Sequence, residues 1–200
     1  MFVFWRLTMR ELEEAIRKDG IGLGTEVVKV DMFLNHRIDT ALLMKMGEYF
    51  ANEFREDKPT LVLTVEASGI AMAVAAAAHL DNIPVLFAKK SATVVQTEDM
   101  LQAPVYSFTH KTQNIIRINR NYIPEGSRVL IVDDFLANGE ATQGMISLCR
   151  QAGAEVIGIG IAVEKGFQNG GKLLREQGYK LRSLAIIDAI EDGKFVFREQ

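Results

Sequence analysis

Short, almost wholly apolar runs alternate along the chain with segments whose apolar residues recur every three or four positions. The apolar runs predict strands that are covered on both faces, and the amphipathic segments predict helices that pack on them. The predicted helices are 9–19, 39–55, 70–80, about 141–152 and 171–177, and the predicted strands are 27–34, 61–65, 83–88, 105–108, 115–119, 129–134, 156–165, 181–187 and 194–198.

This order predicts an α/β fold, namely a mainly parallel sheet flanked by helices on both faces. A length of 200 residues without a visible linker or repeat indicates a single domain over 1–200. Ligands of such folds bind beyond the carboxyl ends of the strands. We therefore expect the functional residues at four strand exits: 66–69, 89–90, 133–142 and 164–167.

The alternating pattern is interrupted between Lys89 and Pro104, where the chain is polar and shows no clear period. A loop of that length in a compact domain is uncommon and is usually either functional or disordered. We expect a loop over 89–104 that begins at one of the four strand exits.

Composition and charge restrict the class of protein. Because Cys149 is the only cysteine, an internal disulfide and a cysteine-rich zinc site are excluded, which favours a cytoplasmic protein. The net charge of −3 lacks the basic footprint of nucleic-acid-binding proteins, and no apolar run is long enough for a membrane span. The helical pattern begins at Met9, so we interpret residues 1–8 as an upstream extension rather than a secretory signal.

The sharpest motif is VLIVDDFLANGEAT at 129–142, in which a buried strand ends in Asp133 and Asp134 and small residues turn into a helix. Such a turn directs successive N–H groups to one point near a helix N-terminus, a geometry that binds a phosphate monoester. The two acids can accept hydrogen bonds from ribose hydroxyls or help to hold magnesium. The alternative is that Asp134 or Asn138 only caps the helix. The candidate phosphate ligands are Ala137, Asn138, Gly139, Glu140, Ala141 and Thr142.

This motif resembles the signature of the type I phosphoribosyltransferases, and within them the bacterial branch that acts on xanthine. The family more often has Thr at position 138 and Gly-Thr at 140–141, so Glu140 must direct its side chain away from a bound phosphate. The resemblance covers nearly everything from Met9 onward and is carried by VVKVDMFLNHRID (27–39), EASGIA (66–71), VDDFLANGEA (132–141) and GIGIAVEKGFQ (158–168).

The resemblance implies a core at about 39–164 and a hood, made of about 9–38 and 165–200, that recognises the base. It also implies purine salvage, in which the 5-phosphoribosyl group of phosphoribosyl pyrophosphate (PRPP) passes to N9 of xanthine. The products are xanthosine 5′-monophosphate and pyrophosphate. Mg²⁺ bound mainly through PRPP and a homodimeric assembly belong to the same expectation.

The resemblance further implies a role for each candidate residue. Asp133 and Asp134 are the catalytic acids that face the ribose, and 137–142 holds the 5′-phosphate. Ordinary roles remain open for some of the others, such as strand packing for Val28, helix capping for Ser68 and solvated surface for the two lysines. The xanthine-binding residues are Val28, Asn35 and Lys165, and the pyrophosphate-binding residues are Ser68, Gly69, Lys89 and Lys90.

Two other functions remain open. One is a PRPP-sensing regulatory protein of the same fold, which in an RNA-binding form should show a basic face. The other is a phosphoribosyltransferase for guanine, hypoxanthine or adenine. The segments VDMFLNH and GIAVEKGFQ favour the xanthine branch over the adenine branch.

Overall fold

The computed structural model describes residues 9–90, 99–107 and 112–199, so the interpreted extension at 1–8 lies outside the described residues. A π-helical turn lies at Asp31–Asn35, and 3₁₀ turns lie at Arg55–Asp57 and Arg120–Tyr122. The helices are α1 (Arg10–Asp19), α2 (Thr40–Phe54), α3 (Gly69–Ala78), α4 (Glu140–Ala152) and α5 (Gly170–Glu176). The strands are β1 (Ile21–Leu23), β2 (Val27–Lys29), β3 (Leu61–Val65), β4 (Val85–Ala88), β5 (Met100–Ser107), β6 (Thr112–Asn119), β7 (Arg128–Leu136), β8 (Glu155–Lys165), β9 (Leu181–Glu191) and β10 (Lys194–Phe197).

Six of these strands form one sheet in the order β10-β9-β8-β7-β3-β4. The strands from β9 to β4 run parallel, and only β10 is antiparallel to its neighbour β9. The prediction of a mainly parallel sheet is therefore confirmed. Two antiparallel pairs, β1 with β2 and β5 with β6, lie outside the sheet.

Strand β7 shows why helices cover both faces of the sheet. Its alternate residues Leu130 and Val132 belong to the hydrophobic core that includes α1, α2 and α3. Val129 and Ile131 belong to a second core, which includes α4 and the β5–β6 hairpin. Because successive side chains of a strand point to opposite faces, a wholly apolar strand needs a helical layer on each side.

The predicted strand at 27–34 is wrong beyond Lys29, because the chain turns into the π-helical segment. Phe33 and Leu34 are both buried. Two consecutive side chains of a strand would point to opposite faces, whereas one helical turn can direct both toward the same core. The turn ends at Asn35, and Asp39 then caps α2 by accepting a hydrogen bond from the backbone N–H of Leu42 at 3.0 Å.

The predicted loop at 89–104 is also wrong in its last part, because β5 begins at Met100. Leu101 and Ala103 are buried and alternate with exposed neighbours, as in a strand with one covered face. Pro104, which interrupts that apolar pattern, pairs with Ile115 of β6. The part of the predicted loop at 91–98 lies outside the described residues.

The N-terminal and C-terminal segments of the chain meet beside the sheet. The N–H of Met9 donates to the carbonyl of Leu184 in β9 at 2.7 Å. Gly22 of β1 packs against Ile190 and Gly193, at the β9–β10 turn. This packing brings β1 and β2 next to the last two strands of the sheet. Within the described ranges, every helix is too short or too polar to cross a lipid bilayer.

Candidate active site

Four strand exits lie together at one edge of the sheet. Strands β3, β4, β7 and β8 run parallel, so their carboxyl ends share that edge. The segments that follow or include these ends are the four that the sequence indicated: 66–69, 89–90, 133–142 and 164–167. The fold thus brings most of the predicted site residues to one side of the molecule.

Residues 137–142 form the turn from β7 into α4: 137–139 link the two elements, and 140–142 are the first residues of the helix. Gly139 is the N-cap residue of α4 and has φ +94°, a left-handed conformation that glycine adopts at little cost. The first N–H groups of a helix have no acceptor within the helix, and Gly139 has no side chain to cap them. The N–H groups of Glu140, Ala141 and Thr142 therefore point out of the start of α4, beside the half-buried Ala137 and Asn138.

Gly170, a residue that the sequence did not indicate, packs against this turn. Its N–H donates to the carbonyl of Ala137 at 3.0 Å. A Cβ atom on Gly170 would lie 2.4 Å from that carbonyl oxygen and 2.8 Å from the backbone N of Gly139. Only glycine fits between the 137–142 turn and α5. The sequence signal that could have indicated this contact is the pair Gly170-Gly171, which follows the strand exit at 164–167.

Asp133 and Asp134 lie three and two residues before the end of β7, and they are 4% and 8% exposed. One carboxylate oxygen of Asp133 accepts a hydrogen bond from the backbone N–H of Asp134 at 3.0 Å. Burial, and then the neighbouring charge of Asp134, raise the pKa of Asp133 well above its ordinary value, while Lys90 acts in the opposite direction. A nearby cation or hydrogen-bond donor therefore stabilises the charged form of Asp133.

The 66–69 segment lies against the acids. Gly69 is so close to Asp133 that a Cβ on it would come within 2.8 Å of the Asp133 Oδ1 atom. Ser68 occupies the N-cap position of α3 without a side-chain capping hydrogen bond, so its hydroxyl is not used for capping. The peptide bond between Glu66 and Ala67 is cis.

The two candidate lysines differ in placement. The backbone N–H of Lys90 donates to the carboxylate of Glu66 at 2.5 Å, and the Lys90 charge acts on Asp133. Lys89 instead exchanges backbone hydrogen bonds with Arg117 of β6, both at 2.9 Å. Lys90 is thus brought together with the acids and the 66–69 segment, whereas Lys89 is hydrogen-bonded to the β5–β6 hairpin.

The three candidate base-binding residues come from separate segments. The Asn35 side-chain amide donates to Asp134 at 3.2 Å. The Lys165 ammonium donates to the carbonyl of Glu26 at 2.9 Å, and burial lowers its pKa. Glu26 immediately precedes β2, which contains the buried Val28. The structure therefore joins Asn35 to the acids and Lys165 to the β1–β2 hairpin.

The chemistry of this edge suits a ligand that is anionic at one end. N–H groups at the start of α4 can bind a phosphate, and two adjacent carboxylates can accept hydrogen bonds from a diol. No group of three or more His, Cys, Asp or Glu side chains in the described ranges is arranged to hold a metal ion. A metal at these carboxylates would have to take most of its ligands from the substrate.

Curated relatives and solved structures resemble this chain over most of its length. The phosphoribosyl transferase domain family matches residues 35–194. A xanthine phosphoribosyltransferase of Bacillus cereus is 48% identical over 192 residues, which are 96% of this chain and 97% of that protein. Another, from Bacillus cytotoxicus, is 50% identical over 189 residues, or 94% of this chain and 95% of its own.

Among solved structures, an adenine phosphoribosyltransferase from Thermoanaerobacter pseudethanolicus gives a TM-score of 0.64 at 25% identity, covering 74% of this chain and 81% of its own. Adenine phosphoribosyltransferase of Leishmania donovani gives 0.68 at 19% identity, covering 88% and 79%, which shows a shared fold alone. The family match spans most of the chain and the full-length relatives share about half of its residues. The chain therefore belongs to the phosphoribosyl transferase domain family.

Proposed function

We propose that this protein transfers the 5-phosphoribosyl group of PRPP to N9 of xanthine, which yields xanthosine 5′-monophosphate and pyrophosphate in purine salvage. The observation that carries the proposal is the junction of β7 with α4, where two buried acids near the end of the strand are followed by the first N–H groups of the helix, which have no acceptor within it. Xanthine is supported by the curated names of relatives that are 48–50% identical over nearly the whole chain.

The 137–142 turn binds the 5′-phosphate in this proposal. Main-chain N–H groups and the partial positive charge at the start of α4 stabilise the phosphate charge. Thr142 adds a hydroxyl that can donate a hydrogen bond. Glu140 is the first residue of α4 and is partly exposed, so its backbone N–H can serve the phosphate while its carboxylate stays in solvent.

Asp133 and Asp134 face the ribose. As pyrophosphate leaves, positive charge develops on the ribose ring, and carboxylates close to that charge lower the barrier electrostatically. They also accept hydrogen bonds from the ribose hydroxyls, which fixes the sugar relative to the incoming base. Burial raises the pKa of Asp133, whereas a cation or a hydrogen-bond donor of the bound substrate lowers it and so favours the charged form.

Ser68, Gly69, Lys89 and Lys90 bind the pyrophosphate, with Lys90 nearest to the acids. Mg²⁺ suits this edge as an ion carried in by PRPP, because Mg²⁺ is commonly held by one or two carboxylates plus substrate phosphates. Asp133 and Asp134 are the carboxylates available to it. When bound, Mg²⁺ neutralises negative charge on the departing pyrophosphate.

The base is recognised by Val28, Asn35 and Lys165, in a hood formed by about 9–38 and 165–200. The Asn35 amide offers donors and an acceptor, and Lys165 offers a cationic donor for a base carbonyl. Val28 contributes an apolar wall next to the turn that Lys165 contacts. The dioxopurine edge of xanthine presents both N–H groups and carbonyls, which this donor and acceptor set can satisfy.

We further propose that the protein acts in the cytoplasm as a homodimer, as the resemblance to the family implies. Its single, buried Cys149 is consistent with a reducing compartment. Light scattering of the purified protein measures the dimer directly, and a monomeric mass would contradict it.

The test is a pyrophosphate-release assay with PRPP and Mg²⁺, in which xanthine, guanine, hypoxanthine and adenine are compared by kcat/KM. We expect the highest value with xanthine. Activity that is highest with another purine contradicts the base assignment and leaves the transfer reaction standing. If PRPP binds but no base reacts, the protein is a PRPP-sensing regulator instead.

A further inference from the structure

Glu164 is a buried carboxylate that the proposed reaction does not use. It lies at the end of β8, directly before Lys165, and is 2% exposed. Both of its oxygens accept hydrogen bonds from the Arg175 guanidinium of α5, at 2.8 and 2.7 Å. The Ser183 hydroxyl of β9 donates to the same carboxylate at 2.5 Å. Three elements, β8, β9 and α5, therefore meet at this one side chain.

The Glu164–Arg175 pair determines where α5 sits. Helix α5 has only seven residues, too few for a helix to be stable on its own. Leu174 packs it into the core that includes α4, and a paired, two-point hydrogen bond adds a fixed orientation that apolar packing does not provide. Gly171 lies so close to the Glu164 carboxylate that any side chain there would overlap it.

The first residue of α5 supports the 137–142 turn. Gly170 donates its N–H to Ala137, and its Cα packs against the backbone of Asn138 and Gly139. In addition, Glu164 pairs with Leu136 of β7, the residue immediately before the turn. A shift of α5 must therefore move the N–H groups that start α4.

We propose that Glu164 is a positioning residue that holds the 137–142 turn in its phosphate-binding geometry through Arg175 and α5. This inference rests on the proposed function, since it takes the turn to bind the 5′-phosphate of PRPP. Glu164 touches neither substrate in this arrangement. Its contribution is to keep main-chain donors at fixed positions, and a displacement of about 1 Å in such a group can cost up to about 100-fold in rate.

The test compares Arg175→Lys, Glu164→Gln and the double variant Glu164→Gln/Arg175→Met with wild type. Arg175→Lys keeps the positive charge and removes the two-point contact, so it is the variant that folds most securely. The measurements are the Kd for PRPP and Mg²⁺ by calorimetry, the KM values for PRPP and xanthine, and the Tm. The control is Glu53→Gln, which breaks the partly exposed Glu53–Arg182 pair that joins α2, not α5, to β9.

We expect Arg175→Lys and Glu164→Gln to raise the Kd and KM for PRPP about tenfold, with the KM for xanthine changed less, since loss of orientation acts on the phosphate end. The double variant recovers Tm, because no unpaired charge remains buried, but keeps the weak PRPP binding. Glu53→Gln lowers Tm and leaves the Kd for PRPP unchanged.

Gly139→Ala separates the inference from the function on which it rests. Weaker PRPP binding in Gly139→Ala together with wild-type affinity in all three pair variants overturns the inference and leaves the proposed function in place. Wild-type PRPP affinity in Gly139→Ala overturns the phosphate role of the turn, and the inference with it. A wild-type protein that neither binds nor consumes PRPP overturns both.

Discussion

The 137–142 turn presents main-chain N–H groups, whereas the region around Val28, Asn35 and Lys165 presents side chains. The turn packs against Gly170 and follows β7, a strand in the middle of the sheet. The residues proposed to bind the base come instead from a three-residue strand, a π-helical turn and the end of β8. One region depends on backbone geometry and the other on the identity of single side chains.

If the proposed roles hold, this difference predicts which region can vary without loss of activity. A main-chain donor is supplied by any residue, so Asn138 and Glu140 can replace the residues that are more usual in the family. A base carbonyl or N–H, in contrast, must meet a complementary side chain, and an unpaired polar group in such a site is costly. We expect phosphate binding to respond to changes in backbone packing and base preference to respond to single side-chain changes.

The largest effect is expected for Gly170→Ala. The new methyl group would lie 2.4 Å from the Ala137 carbonyl oxygen, so the turn must move. We expect kcat/KM for PRPP to fall by about 100-fold or more. Gly178→Ala, beyond the other end of α5, is the control for backbone strain: a Cβ there meets nothing within 4 Å, but the φ of +84° is unfavourable for alanine, so we expect a lower Tm with unchanged kinetics. Equal kinetics for the two variants would show that the turn tolerates displacement.

Asp133→Asn is expected to lower kcat by about 100-fold, because a charge that stabilises the developing ribose cation is removed. The same change should raise Tm at neutral pH, since the folded state holds Asp133 at a raised pKa and ionisation there costs stability. The stabilisation grows as pH rises from the unfolded pKa of about 4 toward the folded pKa, and disappears below pH 4, where both states are protonated. Calorimetric scans from pH 4 to 8 measure it. A gain in Tm that is independent of pH contradicts this assignment.

Lys165→Gln tests the side-chain region. Loss of a charge-assisted hydrogen bond corresponds to about a 10- to 100-fold rise in the KM for xanthine. The KM for PRPP should change little, because the Lys165 ammonium donates to the Glu26 carbonyl beside β2. Lys29→Gln serves as the control, since Lys29 is an exposed neighbour of Val28 that pairs with Asp31. A parallel rise in both KM values would mean that the two regions are not separate.

The smallest effect is expected for Asn35→Ala, which removes a neutral hydrogen-bonding group. We expect a roughly fivefold rise in the KM for xanthine, within the range for one neutral hydrogen bond. The ratio of kcat/KM values for xanthine and hypoxanthine should fall as well. Asn35→Asp is a second variant with a larger expected effect. It places a third carboxylate against Asp134 and should also weaken PRPP binding. An unchanged base ratio in Asn35→Ala would exclude Asn35 from base selection.

The same contrast decides what could be predicted from the sequence. The parallel sheet and the acidic strand end are local patterns, in which an apolar run ends in Asp133 and Asp134 and small residues open a helix. The sequence does not indicate the support from Gly170, because this contact depends on packing between segments separated by more than 30 residues. The sequence predicts a strand where the turn at Asp31–Asn35 lies, because a few apolar residues satisfy either period. Pro104 interrupts the apolar pattern of β5, so the sequence does not indicate where this strand begins. Proline is tolerated there because it lies in an edge strand.

The hydrogen bond between Met9 and Leu184 joins segments from the two ends of the described chain, and this has a consequence for synthesis on the ribosome. Residues 66–142 emerge well before β9 and β10, on which β1 packs. A chain still being translated can form the early sheet strands, but β1 and β2 must wait for their partners. Emergence of β9 and β10, rather than of the first half of the sheet, then sets the moment at which β1 and β2 can pack in place.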